Sequence, residues 1–244
     1  KGVLDRVCCN VREGAITYGR VFSIMYDVTN ADADNLLEVL REDWNSPLMS
    51  RIKEGTRYVH HNGKPVVGLW GFGFKGQNVT AKQALAIIEF FKKSGCTVVG
   101  GVPAFWRTLD RDSQSDPEWK QVYESFDIIS PWSVGRYYNT RTANAFTVNN
   151  IVPDKSTAKE YMPVIFPGYS AHNLAGTKFN QIPRQEGLFY MNQVSNVITT
   201  ECNMIYVAMF DECDEGTAIY KLEEEGDKYL QLTDTIGQML RGEK

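Results

Sequence analysis

Four acidic residues crowd into five positions near the end of the chain: Asp211, Glu212, Asp214 and Glu215, in the stretch AMFDECDEGTAI at 208–219. They close an apolar run, Met204–Phe210, that reads as a buried strand, and Gly216 follows them. If the strand continued, Glu212 and Glu215 would point to opposite faces, because strand side chains alternate. A turn beginning near Asp211 would instead bring both carboxyls into one mouth, with Gly216 as a flexible exit. Two carboxyls at one small pocket suit acid–base chemistry. One is held protonated to donate to a leaving oxygen, the other stays ionised, and their repulsion separates the two pKa values. Glycoside hydrolysis uses such a pair.

Other residues fit a sugar. Trp70, Trp106, Trp132, Tyr169 and Tyr26 offer flat faces for the C–H side of a ring, and Arg107, Arg136, Arg184, Asn173 and Gln193 offer planar partners for its hydroxyls. Asp27, His172 and Asp214 stand beside them in sequence. Blander readings compete: a Trp at a strand end commonly packs in the core, and Asp214 is equally suited to solvent or to Arg136. The tandem His60-His61 looks metal-like, but adjacent residues on an extended segment diverge. The DECDE run lacks the spacing of a calcium loop, and GFGFKG (71–76) has no Lys-Ser/Thr pair to make a phosphate cradle. The expectation is therefore no metal and no cofactor. Two alternatives stay open: a carbohydrate-binding protein without turnover, and a metal-dependent hydrolase using Asp211, Asp214 and His172.

Six short runs rich in β-branched and apolar residues supply a scaffold: Val21–Asp27, Pro65–Trp70, Thr97–Val102, Asp127–Trp132, Tyr161–Phe166 and Met204–Phe210. They read as strands buried on both faces. Helical patterns lie between them. Thr80 caps Ala81–Lys93, with Ala84, Ile87, Ile88 and Phe91 at helical spacing and Ser94-Gly95 as the stop; Asp32–Arg41, Glu118–Ser125 and Phe189–Thr200 are similar. Strand and helix in alternation predict parallel pairing and an α/β fold, with the clusters after the strands gathered on one rim. Eight strands close such a barrel. Val3–Tyr18 reads as a helix entering the first run, and the C-terminal end finishes with a hairpin, Ala218–Tyr229, and a helix, Gln231–Arg241. The expectation is thus a (β/α)8 TIM barrel lacking its first two strands, forming one catalytic domain over 1–244 that is incomplete at its N-terminal end. Its open edges predict that residues upstream of Lys1, or another chain, complete it.

Composition narrows the partners. The 244 residues are 43% hydrophobic and carry a net charge of −4 without a basic stripe, which argues against nucleic acid. No apolar run is long enough to span a bilayer. The five cysteines, with Cys8 and Cys9 adjacent, read as free thiols.

Seven segments taken together resemble a known family: FSIMYDV (22–28), KPVVGLWGFGF (64–74), GGVPAFWR (100–107), ISPWSVGR (129–136), FPGYSAHNL (166–174), IPRQEG (182–187) and MFDECDEGTAIY (209–220). In this order they are similar to the glycoside hydrolase family 71/99-like proteins, many from bacterial polysaccharide-degrading systems. The resemblance implies an eight-stranded barrel, a periplasmic or secreted setting, and an oligo- or polysaccharide substrate such as an α-mannan or N-glycan. In family 99 a Glu-x-x-Glu motif after the last strand carries the chemistry, which corresponds to Glu212 and Glu215. The implied mechanism is retaining. The first Glu acts as base on the sugar's own 2-hydroxyl, which attacks the anomeric carbon to give a 1,2-anhydro sugar, and the second protonates the leaving group. Cys213-Asp214 replaces the Trp-His to which the mannosidases are similar, and Ala171 stands where many relatives carry a large aromatic, so positions that contact sugar have changed.

Overall fold

The computed structural model describes residues 2–223 and 225–243, which form two compact units, Lys1–Ile129 and Ser130–Lys244. The first unit opens with α1 (Gly2–Thr17). There follow β1 (Ile24–Asp27), α2 (Leu36–Trp44), α3 (Pro47–Lys53), β2 (His60–His61), β3 (Lys64–Trp70), α4 (Ala81–Lys93), β4 (Thr97–Pro103), α5 (Trp119–Ser125) and the start of β5 (Ile128–Trp132). β1 and β4 flank β3, both in parallel. The outer edge of β1 has no strand partner among the described residues, so the sheet is open there.

Each element has a local cause. α4 follows the predicted bounds because Thr80 and Gln83 form a reciprocal capping box, while Ala84, Ile87, Ile88 and Phe91 share its buried face. α3 starts where Ser46 accepts the Met49 amide and Pro47 fills the first turn. His60-His61 is one arm of a hairpin, opposite Pro65 and Lys64, and turns at Asn62-Gly63 with both residues at positive φ, as a tight hairpin requires. The glycine-rich stretch serves packing: Gly73 has φ 78°, and a side chain there would collide with Tyr123.

β5 begins beside β4, where Asp127 receives the Val98 amide on its side chain at 2.9 Å and donates its own amide to the Val98 carbonyl at 3.0 Å. Lys92 of α4 pairs with the same carboxylate at 3.1 Å. Helix and strand are thereby tied at one acidic residue.

The second unit contains the end of β5, α6 (Thr140–Phe146), a π-helical turn (Thr147–Ile151), α7 (Val152–Thr157), β6 (Glu160–Tyr161), β7 (Val164–Ile165), α8 (His172–Ala175), α9 (Leu188–Thr199), β8 (Tyr206–Val207) and α10 (Lys228–Leu240). β6 lies next to β5 in strand order, and β7 pairs in parallel with β8, Val164 opposite Tyr206 and Ile165 opposite Val207. The predicted run Tyr161–Phe166 is therefore two short strands, separated at Met162-Pro163, where proline has no amide to continue a ladder. The helical segment 140–157 was not legible in the sequence. The hairpin expected at 218–229 is present as a small antiparallel pairing of Leu222 with Gly226 in both directions, and Glu224 lies outside the described residues.

The core of the second unit is aromatic. Tyr137 packs on Phe146 and Phe166 at 5.1 and 5.2 Å between ring centres, and Phe166 meets Phe189 edge-on at 5.4 Å. This cluster backs β7, and through β7 it fixes β8. Replacing Thr80 by Ala should remove half the α4 capping box and cost about 1 kcal/mol; the expected result is a lower urea midpoint with an unchanged slope.

Candidate functional site

After β8 the chain does not run on. A tight turn occupies Cys213–Gly216, and the stretch before it folds against the stretch after it. Ile219 donates to the Met209 carbonyl at 3.1 Å and Met209 to Thr217 at 3.3 Å, while the Glu212 carbonyl receives the amides of Thr217 and Ala218, both at 3.1 Å. Gly216 permits the reversal at φ 62°, and a side chain there would press on Ser170 at 3.0 Å. Glu212 thus stands immediately before this turn and Glu215 within it.

A second segment meets this turn. Ser170 donates its amide to the Glu215 carbonyl at 2.8 Å, which places the stretch after β7, with Tyr169, beside the acid. Glu215 is half-buried, and burial first, then the charge of Glu212, raises its carboxyl pKa above the ordinary glutamate value. Tyr169 is raised as well, by burial and then by Glu215, while Arg136 pulls it down. Glu212, Glu215, Tyr169 and Arg136 therefore share one electrostatic neighbourhood.

The remaining expected residues of this unit divide. Trp132 is half-buried at the end of β5, its ring 6.4 Å from that of Tyr206. Asp214 is exposed on the turn itself, and His172 and Asn173 are exposed on α8, with His172 Nδ1 2.7 Å from the Thr177 carbonyl oxygen. Gln193 is placed elsewhere. It is 3% exposed; its amide nitrogen donates to the Phe166 and Phe189 carbonyls at 2.8 and 3.0 Å, and its oxygen receives the Phe166 amide and the Tyr137 hydroxyl. Its polar atoms go to the core rather than to a sugar. Arg184 also faces inward, onto the carbonyls that follow Glu215.

In the first unit, β1 and β3 set Asp27 opposite Trp70, so both project from the same face of the sheet. Trp70 leans on Phe74 at 4.9 Å, and Asp27 receives the Thr29 amide at 2.8 Å. Tyr26 points to the opposite face, into the helix layer: its hydroxyl donates to Asp43 at 2.8 Å and its ring lies against Trp44 and Phe91. Trp106, 4% exposed, packs edge-on against Tyr123 at 5.9 Å, so its ring is not a surface platform; Arg107 next to it is half-buried. For Tyr26 and Trp106 the sequence signal was residue type at a strand end, and for Gln193 residue type alone; neither says to which face a side chain turns.

The fold is shared with known structures. No protein-family model matches the chain, and no curated protein matches it. Among solved structures, a GH99 endo-alpha-mannosidase from Bacteroides thetaiotaomicron, in complex with BIS-TRIS-propane, is similar with a TM-score of 0.69 at 14% identity, over 95% of this chain and 73% of that one. A second structure of a GH99 endo-alpha-mannosidase from the same organism gives 0.68 at 15%, over 95% and 69%. A structure described as a glycoside hydrolase-like protein gives 0.61 at 15%, over 86% and 65%. The chain has the fold of the family 99 TIM barrel, with its sheet left open.

Sequence reasoning missed the supports of the acidic turn: Ser170, which contributes only its backbone, and Glu225, which holds Arg184 at 2.8 Å. Nothing in residue type marks either. Among the described residues, no three His, Cys, Asp or Glu side chains are grouped in a way that could hold a metal ion. Among the described residues, no helix is long and apolar enough to cross a membrane. Gln193→Leu should cost on the order of 2 kcal/mol, because it leaves buried backbone groups of Phe166 unpaired. A melting temperature equal to the parent's would show that Gln193 is not a core residue.

Proposed function

We propose that this chain is a glycoside hydrolase acting on an α-linked glycan, mannan-like or related, with residues 1–244 working as one catalytic domain. Glu212 is the base and Glu215 the acid. The observation that carries the reading is the turn at Cys213–Gly216, which puts two carboxyls on one loop in different settings, Glu215 half-buried and biased toward its protonated form. The fold likeness to GH99 structures supports it.

In the proposed reaction Glu212 takes the proton of the sugar's 2-hydroxyl, and that oxygen attacks the anomeric carbon as the glycosidic bond breaks. Glu215 gives its proton to the departing oxygen. Water then opens the 1,2-anhydro ring at the anomeric carbon with a second inversion, giving its proton to Glu215 while Glu212 returns its proton to the 2-oxygen, so the product keeps the configuration of the substrate and each carboxyl recovers its starting state. Raising the pKa of Glu215 is what such an acid needs, since a donor is efficient when it remains protonated near the working pH. Tyr169, Arg136, Trp132, Asp214, His172 and Asn173, all of the second unit, are the proposed sugar contacts.

The test is release of reducing sugar from α-mannans, α-glucans and N-glycans. Glu215→Gln should lower the rate on natural glycans on the order of 10²- to 10⁴-fold, yet keep first-turnover release of an aryl group that needs no proton to leave. Glu212→Gln should lose both. The pH profile should hold its activity above the ordinary glutamate pKa of about 4.3 and fall on the alkaline side as Glu215 ionises. Binding of glycans without release by the unmodified protein would establish a lectin-like role instead.

A further inference from the structure

Both terminal nitrogens of the Arg184 guanidinium are committed to protein groups. Nη2 donates to the carbonyls of Gly216 and Ala218 at 3.0 and 2.7 Å, and Nη1 donates to Glu225 at 2.8 Å. The Arg184 carbon centre sits 4.6 Å above the ring of Tyr229, itself 2% exposed. A planar, permanently charged fork can hold two carbonyls and a carboxylate at once, and charge-assisted bonds of this kind are stronger than neutral ones.

The place where this fork acts is specific. Gly216 and Ala218 lie one and three residues after Glu215, so the guanidinium grips the strand of backbone that leaves the acid. Arg184 is anchored in turn to the other side of the site. Two residues before it, Ile182 exchanges both backbone hydrogen bonds with Tyr169, at 2.9 and 3.0 Å, and Tyr169 precedes Ser170, whose amide donates to the Glu215 carbonyl. The acid is thus held by Ser170 at its own carbonyl and by Arg184 just beyond it.

We propose that Arg184 is a positioning residue for Glu215: by pinning the Gly216 and Ala218 carbonyls it fixes where the acid's carboxyl sits. The kinetic consequence rests on the glycosidase reading, whereas the structural consequence does not. Without the fork the turn relaxes toward solvent, and Glu215 loses the burial that keeps its proton.

Two measurements test this. In the first, Arg184→Ala should lower kcat on natural glycans on the order of 10²-fold, the scale of a misplaced catalytic group, with KM little changed and with Arg184→Lys intermediate. First-turnover release from the aryl glycoside should be nearly unaffected, because departure of that group needs no proton from Glu215. Equal losses on both substrates would overturn the proposal, since a general loss of folded enzyme acts on both alike. The second needs no activity. With ¹³C-labelled glutamate carboxyls, and Glu215→Gln identifying the Glu215 signal, its titration midpoint should fall toward the ordinary value in Arg184→Ala. An unchanged midpoint would overturn the positioning role even if no glycan is cleaved, so the two readings fail separately. If Arg184→Ala does not fold, Arg184→Lys serves in both measurements.

Discussion

One main-chain hydrogen bond, from the Ser170 amide to the Glu215 carbonyl at 2.8 Å, joins the segment after β7 to the acidic turn after β8. The paired strands beneath it are only Val164–Ile165 and Tyr206–Val207, too short to specify by themselves where the loops above them go. The turn therefore depends on contacts made loop to loop. Ser170 and Arg184 supply them, and the positive φ of Gly216 lets the backbone reverse closely enough for both to reach it. The raised pKa of Glu215 follows from this arrangement, because burial and a neighbouring carboxylate act on it only if the backbone holds it there.

Below the loops, the site is made rigid by a polar residue used as core. Gln193 satisfies both backbone groups of Phe166 and ties them to α9 and to Tyr137, within a cluster of stacked aromatic rings. A fully satisfied buried amide of this kind specifies register, where apolar packing alone tolerates slippage. It fixes the point at which β7 ends and the segment bearing Tyr169 and Ser170 begins.

Much of this was legible in the sequence where local signals and tertiary structure agree. Thr80 as a cap, the spacing of Ala84, Ile87, Ile88 and Phe91 and the Ser94-Gly95 stop gave α4 its bounds, and the acidic run closed by Gly216 suggested the turn. Legibility failed where tertiary packing decides. The segment TVNNIVPDKS carries Asn, β-branched residues and Pro153, all weak helix formers, yet it is helical because Ile151 is buried in the fold. Tyr26, Trp106, Gln193 and Arg184 have the composition of a sugar site, but each faces protein, and residue type alone does not encode that choice. Asp27 and Trp70 share a face because of register, which sequence gives only once the partner strand is known.

As proposed, Glu212 and Glu215 cleave an α-linked glycan with retention. The most direct measurement is ¹H NMR of the anomeric region during the first turnovers on an α-linked oligosaccharide, before mutarotation scrambles the product. The α-anomer is expected to appear first. First appearance of the β-anomer would contradict the proposed mechanism, because an inverting outcome has no place for the substrate's 2-hydroxyl as the attacking group.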